Sequence, residues 1–145
     1  MSDVTETAKG SAAEKRGPIE RSARSVVCQL QNQTSVILML LQDSLQLEHG
    51  EWTVYPPQNI YPNQLVQWQS DSNGFMTGTE GRCTYQFIAN TGSGPMIGNV
   101  KLHWDNPYVG SNSYSIEVTP PPYDGDYDGG GGDNSTVTFH VYRKG

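Results

Sequence analysis

The feature that most constrains the fold is a period-two alternation of apolar residues that returns along the whole chain. Val26/Cys28/Leu30, Cys83/Tyr85/Phe87, Val100/Leu102/Trp104, Tyr114/Ile116/Val118 and Val137/Phe139/Val141 each put apolar side chains on every second residue. Successive side chains of a strand point to opposite faces, so the pattern predicts strands with one buried face. Residues 65–70 predict another strand, and so do residues 45–55, where Gly50 suits a bulge. Residues 36–41 are apolar throughout and predict a strand covered on both faces. Turn-forming clusters separate these segments: Asn32-Gln33-Thr34-Ser35, Tyr61-Pro62-Asn63-Gln64 and the Gly/Ser/Pro-rich residues 90–98. Pro56-Pro57 ends the strand before it, and Pro120-Pro121-Pro122 predicts a stiff extended exit. Eight or so short strands at regular spacing, with no helical periodicity in the body, imply an all-β fold and a single β-sandwich.

At 145 residues the chain fits one domain. Residues 1–24 lack hydrophobic periodicity and read as a flexible N-terminal arm, and residues 25–145 as the sandwich. The arm carries five basic and four acidic residues, while residues 25–145 carry four basic and eleven acidic, a net of −7. Nucleic-acid phosphate repels such a body, so no nucleic-acid partner is expected. Anionic lipid is also a poor match, because surface attraction needs clustered Lys and Arg. The longest apolar run, residues 36–41, is far short of a membrane span. The N-terminus lacks the apolar core of a secretory signal, so accumulation in the producer's cytoplasm and release by another route are expected. The Asn32-Gln33-Thr34 and Asn134-Ser135-Thr136 sequons then carry no glycan.

Chemistry-bearing clusters are scarce. His49, His103 and His140 are scattered at no metal-ligand spacing, and no nucleophile elbow or phosphate-cradling loop appears, so neither enzyme activity nor a cofactor is expected. Cys28 and Cys83 both fall in the apolar phase of their strands and read as buried thiols, or as a cross-strand disulfide if their Cα atoms lie within about 7 Å. Asp124, Asp126 and Asp128 followed by Gly129 imitate the start of a calcium-binding loop. Position twelve, however, is Ser135 in place of Glu, and the segment reads as a solvated acidic hairpin loop with no metal.

The most distinctive loop is Ser72-Asn73-Gly74-Phe75-Met76-Thr77-Gly78-Thr79-Glu80-Gly81. It places Phe75 and Met76 among three glycines that permit a tight shape, with one carboxylate, Glu80, beside them. Strand-like runs flank it, so it is expected at the end of a β-hairpin. One acid among apolar groups suits recognition of a cationic headgroup at a membrane surface. The plainer reading is that Phe75 and Met76 plug one end of the sandwich and Glu80 braces its own loop.

Three segments together resemble the aegerolysin family: Gly50-Glu51-Trp52 before the double proline, Asn73–Gly81, and Trp104-Asp105-Asn106-Pro107-Tyr108-Val109-Gly110-Ser111-Asn112. The likeness spans about residues 24–142 and is nearest to the small component of bacterial binary insecticidal crystal toxins. It implies a β-sandwich similar to the actinoporin-like cytolysins. It also implies binding to membrane sphingolipid, and a larger second toxin protein as partner in making a pore, with oligomerisation open. The family's headgroup carboxylate corresponds to Glu80, its tryptophans to Trp52 and Trp104, and an aromatic position to Tyr108; the loop's own residue types make Phe75 and Met76 the expected membrane-contact loop. Trp104 is in phase with Val100 and Leu102, so its own pattern favours core packing. The longer arm and the Asp-rich linker depart from the family pattern, which leaves the lipid open. A non-toxic soluble module that binds lipid or glycan on the same fold is the alternative.

Overall fold

The computed structural model describes residues 23–145. The arm expected over residues 1–24 therefore falls, apart from Ala23 and Arg24, outside the described residues. Eleven strands follow in order: β1 Ser25–Gln33, β2 Leu38–Leu40, β3 Gln46–His49, β4 Glu51–Val54, β5 Asn59–Ile60, β6 Leu65–Asp71, β7 Thr79–Thr91, β8 Gly94–Asn106, β9 Ser113–Thr119, β10 Tyr123–Gly129 and β11 Asn134–Arg143. They form two sheets. One has the order β10-β11-β1-β6-β4, and the other β5-β2-β7-β8-β9, with β3 also paired to β7. β1 runs parallel to β11, and the other pairings are antiparallel.

The alternating triplets meet between the sheets. Val26, Cys28 and Leu30 face Cys83, Tyr85 and Phe87 across a core that also holds Trp68, Trp104, Val100, Val137, Phe139 and Val141. Both cysteines are free and buried. Burial pushes each thiol well above its usual range, so neither is a ready nucleophile.

Several expectations are corrected by the pairing. Residues 36–41 are not covered on both faces: Leu38 and Leu40 are buried, while Ile37 and Met39 face outward and are exposed. Residues 45–55 are not one bulged strand. β3 pairs with β7 in one sheet, β4 pairs with β6 in the other, and Gly50 is the corner between them. At Gly50 φ is +104°, and a Cβ would lie 2.5 Å from the Asp71 carbonyl oxygen and from Thr79 Oγ1, so only glycine lets the chain change sheets there. The loop after β6 is likewise no hairpin end. β6 and β7 belong to different sheets, and residues 72–78 bridge them. The connection over 90–98 shrinks to the Gly92-Ser93 turn of the long β7–β8 hairpin. The proline triplet makes a tight turn, in which the Tyr123 N–H donates to the Pro120 carbonyl at 3.0 Å.

The acidic segment is also a strand. β10 pairs with β11, and its aspartates alternate on one outward face. Asp124 meets Lys144 Nζ at 2.9 Å, Asp126 accepts from the Tyr142 hydroxyl at 3.2 Å, and Asp128 lies 3.0 Å from His140 Nε2. Polar partners on and beyond β11 thus relieve the self-repulsion that suggested a loop.

Candidate functional site

The links β6–β7, β8–β9 and β10–β11 gather at one end of the sandwich with Arg24. The Arg24 N–H donates to Ser72 Oγ at 3.1 Å, and the Ser72 N–H donates back to the Arg24 carbonyl at 2.9 Å. Asn106 Nδ2 donates to the carbonyls of Ser25 and Asp133, at 3.1 and 2.8 Å. Gly78 lies so close to Asn106-Pro107-Tyr108 that a Cβ would come within 2.5–2.8 Å of their backbone. The 72–78 loop is therefore seated on the β8–β9 link. Its own shape is set by Thr77 Oγ1, which donates to the Gly74 carbonyl at 2.8 Å, and by left-handed backbone at Gly74 and Met76, with φ of +120° and +58°.

This framing turns apolar side chains outward. Phe75 is 91% exposed, Val109 81%, Met76 54% and Tyr108 37%. The plug reading of Phe75 and Met76 does not describe them, since neither packs into the core. Tyr108 is held at the rim by Arg24, whose guanidinium donates to the Tyr108 carbonyl at 3.2 Å and lies 5.1 Å from the ring centre.

Glu80 lies near the start of β7 on the outer face of its sheet. His103 Nε2 lies 2.7 Å from Glu80 Oε2, and His49 Nε2 lies 4.0 Å from Oε1. Arg82 and Glu48 form a 2.7 Å pair beside them, and Glu48 Oε1 is buried with no partner among the described residues. Asp105 stands opposite Glu80 in the β7–β8 register. Burial and then the Glu80 charge push the Asp105 carboxyl above its usual range, with His103 and His49 working against that rise. Glu80 is thus one acid in a mixed patch and already has an imidazole partner. An ammonium ligand would have to share or displace it.

The indoles lie elsewhere. Trp104 is fully buried on the inner side of the same sheet, and its Nε1–H donates to Ser70 Oγ at 3.0 Å. The sheet itself stands between Trp104 and the Glu80 carboxylate, so Trp104 packs the core, as its alternation with Val100 and Leu102 indicates. Trp52 is half-buried, meeting Trp104 edge-on at 6.0 Å and stacking on the exposed Tyr55 at 5.4 Å. Of the six residues singled out in the sequence, Phe75, Met76 and Tyr108 lie exposed on adjoining loops at the rim. Glu80 sits on the adjacent sheet face, Trp52 sits at the β4 edge, and Trp104 is inside.

The sequence reading missed Val109, Arg24 and the two histidines around Glu80. Val109 and Arg24 carried no pattern of their own. The histidines meet Glu80 only through the β3–β7 and β7–β8 registers, which no local spacing encodes. Among the described residues no group of His, Cys, Asp and Glu is arranged to hold a metal, and no helix is long and apolar enough to cross a membrane.

No family model matches the chain. An uncharacterized protein of Dictyostelium discoideum is 26% identical over 120 residues, which cover 70% of this chain. The match spans 11% of the length of that curated relative. Among solved structures, the lipid binding protein Nakanori is similar with a TM-score of 0.69 at 13% identity, over 83% of this chain and 72% of its own. RahU, solved in complex with a Tris molecule, is similar with a TM-score of 0.64 at 17% identity, over 86% of this chain and 98% of its own. At such identities the likeness speaks to architecture: the described residues form an aegerolysin-like β-sandwich, the fold shared with Nakanori and RahU.

Proposed function

We propose that this chain is a membrane-recognition module that docks on a target bilayer through the end of the sandwich bearing Phe75, Met76, Tyr108 and Val109. The carrying observation is that a loop fixed by its own hydrogen bond and by contact with the β8–β9 link presents Phe75 almost wholly to water. Isolated exposed apolar residues are ordinary, but a braced cluster at one tip marks an interaction surface. Transfer of side chains of this size from water is worth about 1.5–3 kcal/mol each, before the cost of association. Three of them give weak docking, so useful affinity needs a headgroup contact or several copies bound together.

Glu80 is the proposed headgroup acid, and an incoming ammonium would share its carboxylate with His103, which already lies 2.7 Å from it. Tyr108 suits the interface, because it joins an apolar ring to a polar tip. Trp52 with Tyr55 is a second aromatic face available to lipid. The resemblance of residues 73–81 and 104–112 to small components of binary insecticidal toxins supports a larger partner that forms the pore. The likeness in fold to Nakanori, a lipid binding protein, supports the membrane half of the reading.

Vesicle co-sedimentation tests it, with ceramide phosphoethanolamine, sphingomyelin–cholesterol and plain phosphatidylcholine compared for wild type, Phe75→Asp and Glu80→Gln. The reading expects Phe75→Asp to lose binding to every vesicle. It expects Glu80→Gln to lose only the preference for one sphingolipid. Full retention of vesicle binding by Phe75→Asp would remove the proposed surface.

A further inference from the structure

A groove of about 460 Å³ opens at the same end, between the β8–β9 and β10–β11 links. We propose that it is a saccharide-binding site, an activity separate from the insertion of Phe75 and Met76. Its wall is aromatic and fixed. The Tyr127 ring leans on Phe139 at 6.1 Å and on Tyr114 at 5.8 Å, yet Tyr127 stays 44% exposed. Tyr114 is locked in turn, its hydroxyl 2.8 Å from the Gly130 carbonyl and 2.9 Å from Ser135 Oγ. A rigid ring of this kind suits the C–H face of a sugar, because little freedom is lost when it is covered.

The polar groups are paired in a way that suits hydroxyls. Arg24 only donates and Asp133 only accepts, and the two stand 3.6 Å apart. A vicinal diol donates to one and accepts from the other while bringing no charge of its own. A ligand of single charge is attracted by one and repelled by the other, so the pair gives it little net preference. The Tyr108 ring has the Arg24 guanidinium on one face, which sets a cation beside any ammonium that would lie against it.

The glycine turn lines the groove opposite the β8–β9 link. Asn112 uses both amide hydrogens on the carbonyls of Gly130 and Gly132, at 2.8 and 2.9 Å, so the turn is clamped and Asn112 Oδ1 remains as an acceptor. Gly130 is required by packing, since a Cβ would lie 2.3 Å from the Tyr114 ring. Gly131 is different. It has no left-handed φ, and a Cβ there would meet nothing within 4 Å. Neither conformation nor protein packing calls for glycine at 131. Bare backbone there leaves the groove open to close approach by a ligand.

The test is binding of the whole chain to an array of immobilised mono-, di- and oligosaccharides, followed by calorimetry with the best soluble sugar. Wild type is expected to bind at least one sugar. Gly131→Leu is expected to keep the wild-type unfolding temperature and lose tenfold or more in affinity, and Asp133→Asn to lose severalfold. Phe75→Asp should keep sugar binding, which separates this site from the membrane tip. Binding of the soluble sugar marks a free-glycan site. Binding only to phosphatidylcholine vesicles that carry the glycan on ceramide marks a glycolipid headgroup site, and either result supports the assignment. It is overturned if no sugar binds in either form, or if Gly131→Leu binds as wild type does. It is also overturned if soluble phosphocholine or phosphoethanolamine displaces the groove ligand and sugars do not.

Discussion

Asp105 shows how one residue's environment reaches measurable stability. It faces Glu80 across the β7–β8 pair, and burial together with that like charge penalises its ionised form in the folded chain. The folded state therefore binds the Asp105 proton more tightly than the unfolded state does. The stability this proton confers is present at acid pH and is lost as pH rises through the folded-state pKa. Asp105→Asn, which keeps the shape and removes the charge, should raise the unfolding temperature by a few degrees at about pH 7.5, and the gain should shrink to nothing at about pH 3. A gain of equal size at both pH values would point to packing as its source. The sequence did not announce this pairing. Asp105 reads locally as part of a turn, Asp105-Asn106-Pro107, and its neighbour in space is twenty-five residues away in the chain. Trp104, one residue earlier, was legible, because its alternation with Val100 and Leu102 is a local signal of a buried face.

Whole elements show where period-two reading succeeds and where it stops. Alternation found β1, β7, β8, β9 and β11, since each has one face on the core. It could not say which sheet a strand joins, so β3 and β4 read as one strand and β6 and β7 as a hairpin. Gly50 decides the first of these. Gly50→Ala would force a side chain into left-handed backbone and against Asp71 and Thr79, so it should cost about 2–3 kcal/mol in urea unfolding. Gly131→Ala, with open space and ordinary backbone, should change stability by only a few tenths of that and serves as the control. β10 was missed for a compositional reason: Asp and Gly are poor strand formers, and three carboxylates in a row suggest solvation. Its Asp-x-Asp-x-Asp spacing is nonetheless period two, and the cross-strand partners explain it. Same-face residues of a strand lie about 6.6 Å apart, so the three carboxylates are strung along the strand instead of converging on one cation. Millimolar calcium should therefore leave the unfolding temperature unchanged. A saturable rise that Asp126→Asn abolishes would show that the segment closes around the ion.

At the scale of the molecule, an acidic body carries an apolar tip. The chain has a net charge of −6, and the charge within residues 25–145 is −7. A membrane surface at about −30 mV repels each negative charge held close to it by roughly 0.7 kcal/mol, and less for charges a Debye length away. A few such charges matter against the small net affinity that burial of Phe75, Met76 and Val109 leaves once the cost of association is met, so electrostatics decides which bilayers the tip can use. Adding phosphatidylserine to neutral vesicles should weaken binding severalfold in low salt. The loss should fade at about 0.5 M salt, where the Debye length falls below the size of a side chain. Binding to purely neutral vesicles should hardly change over the same range, because its driving force is apolar. If anionic lipid instead strengthened binding in low salt, the contact would have to run through basic residues. Loss of that gain in Arg24→Gln would keep the contact at the tip, where Arg24 holds Tyr108, whereas its loss only on removing Arg82, Lys101, Arg143 or Lys144 would move the contact to another face.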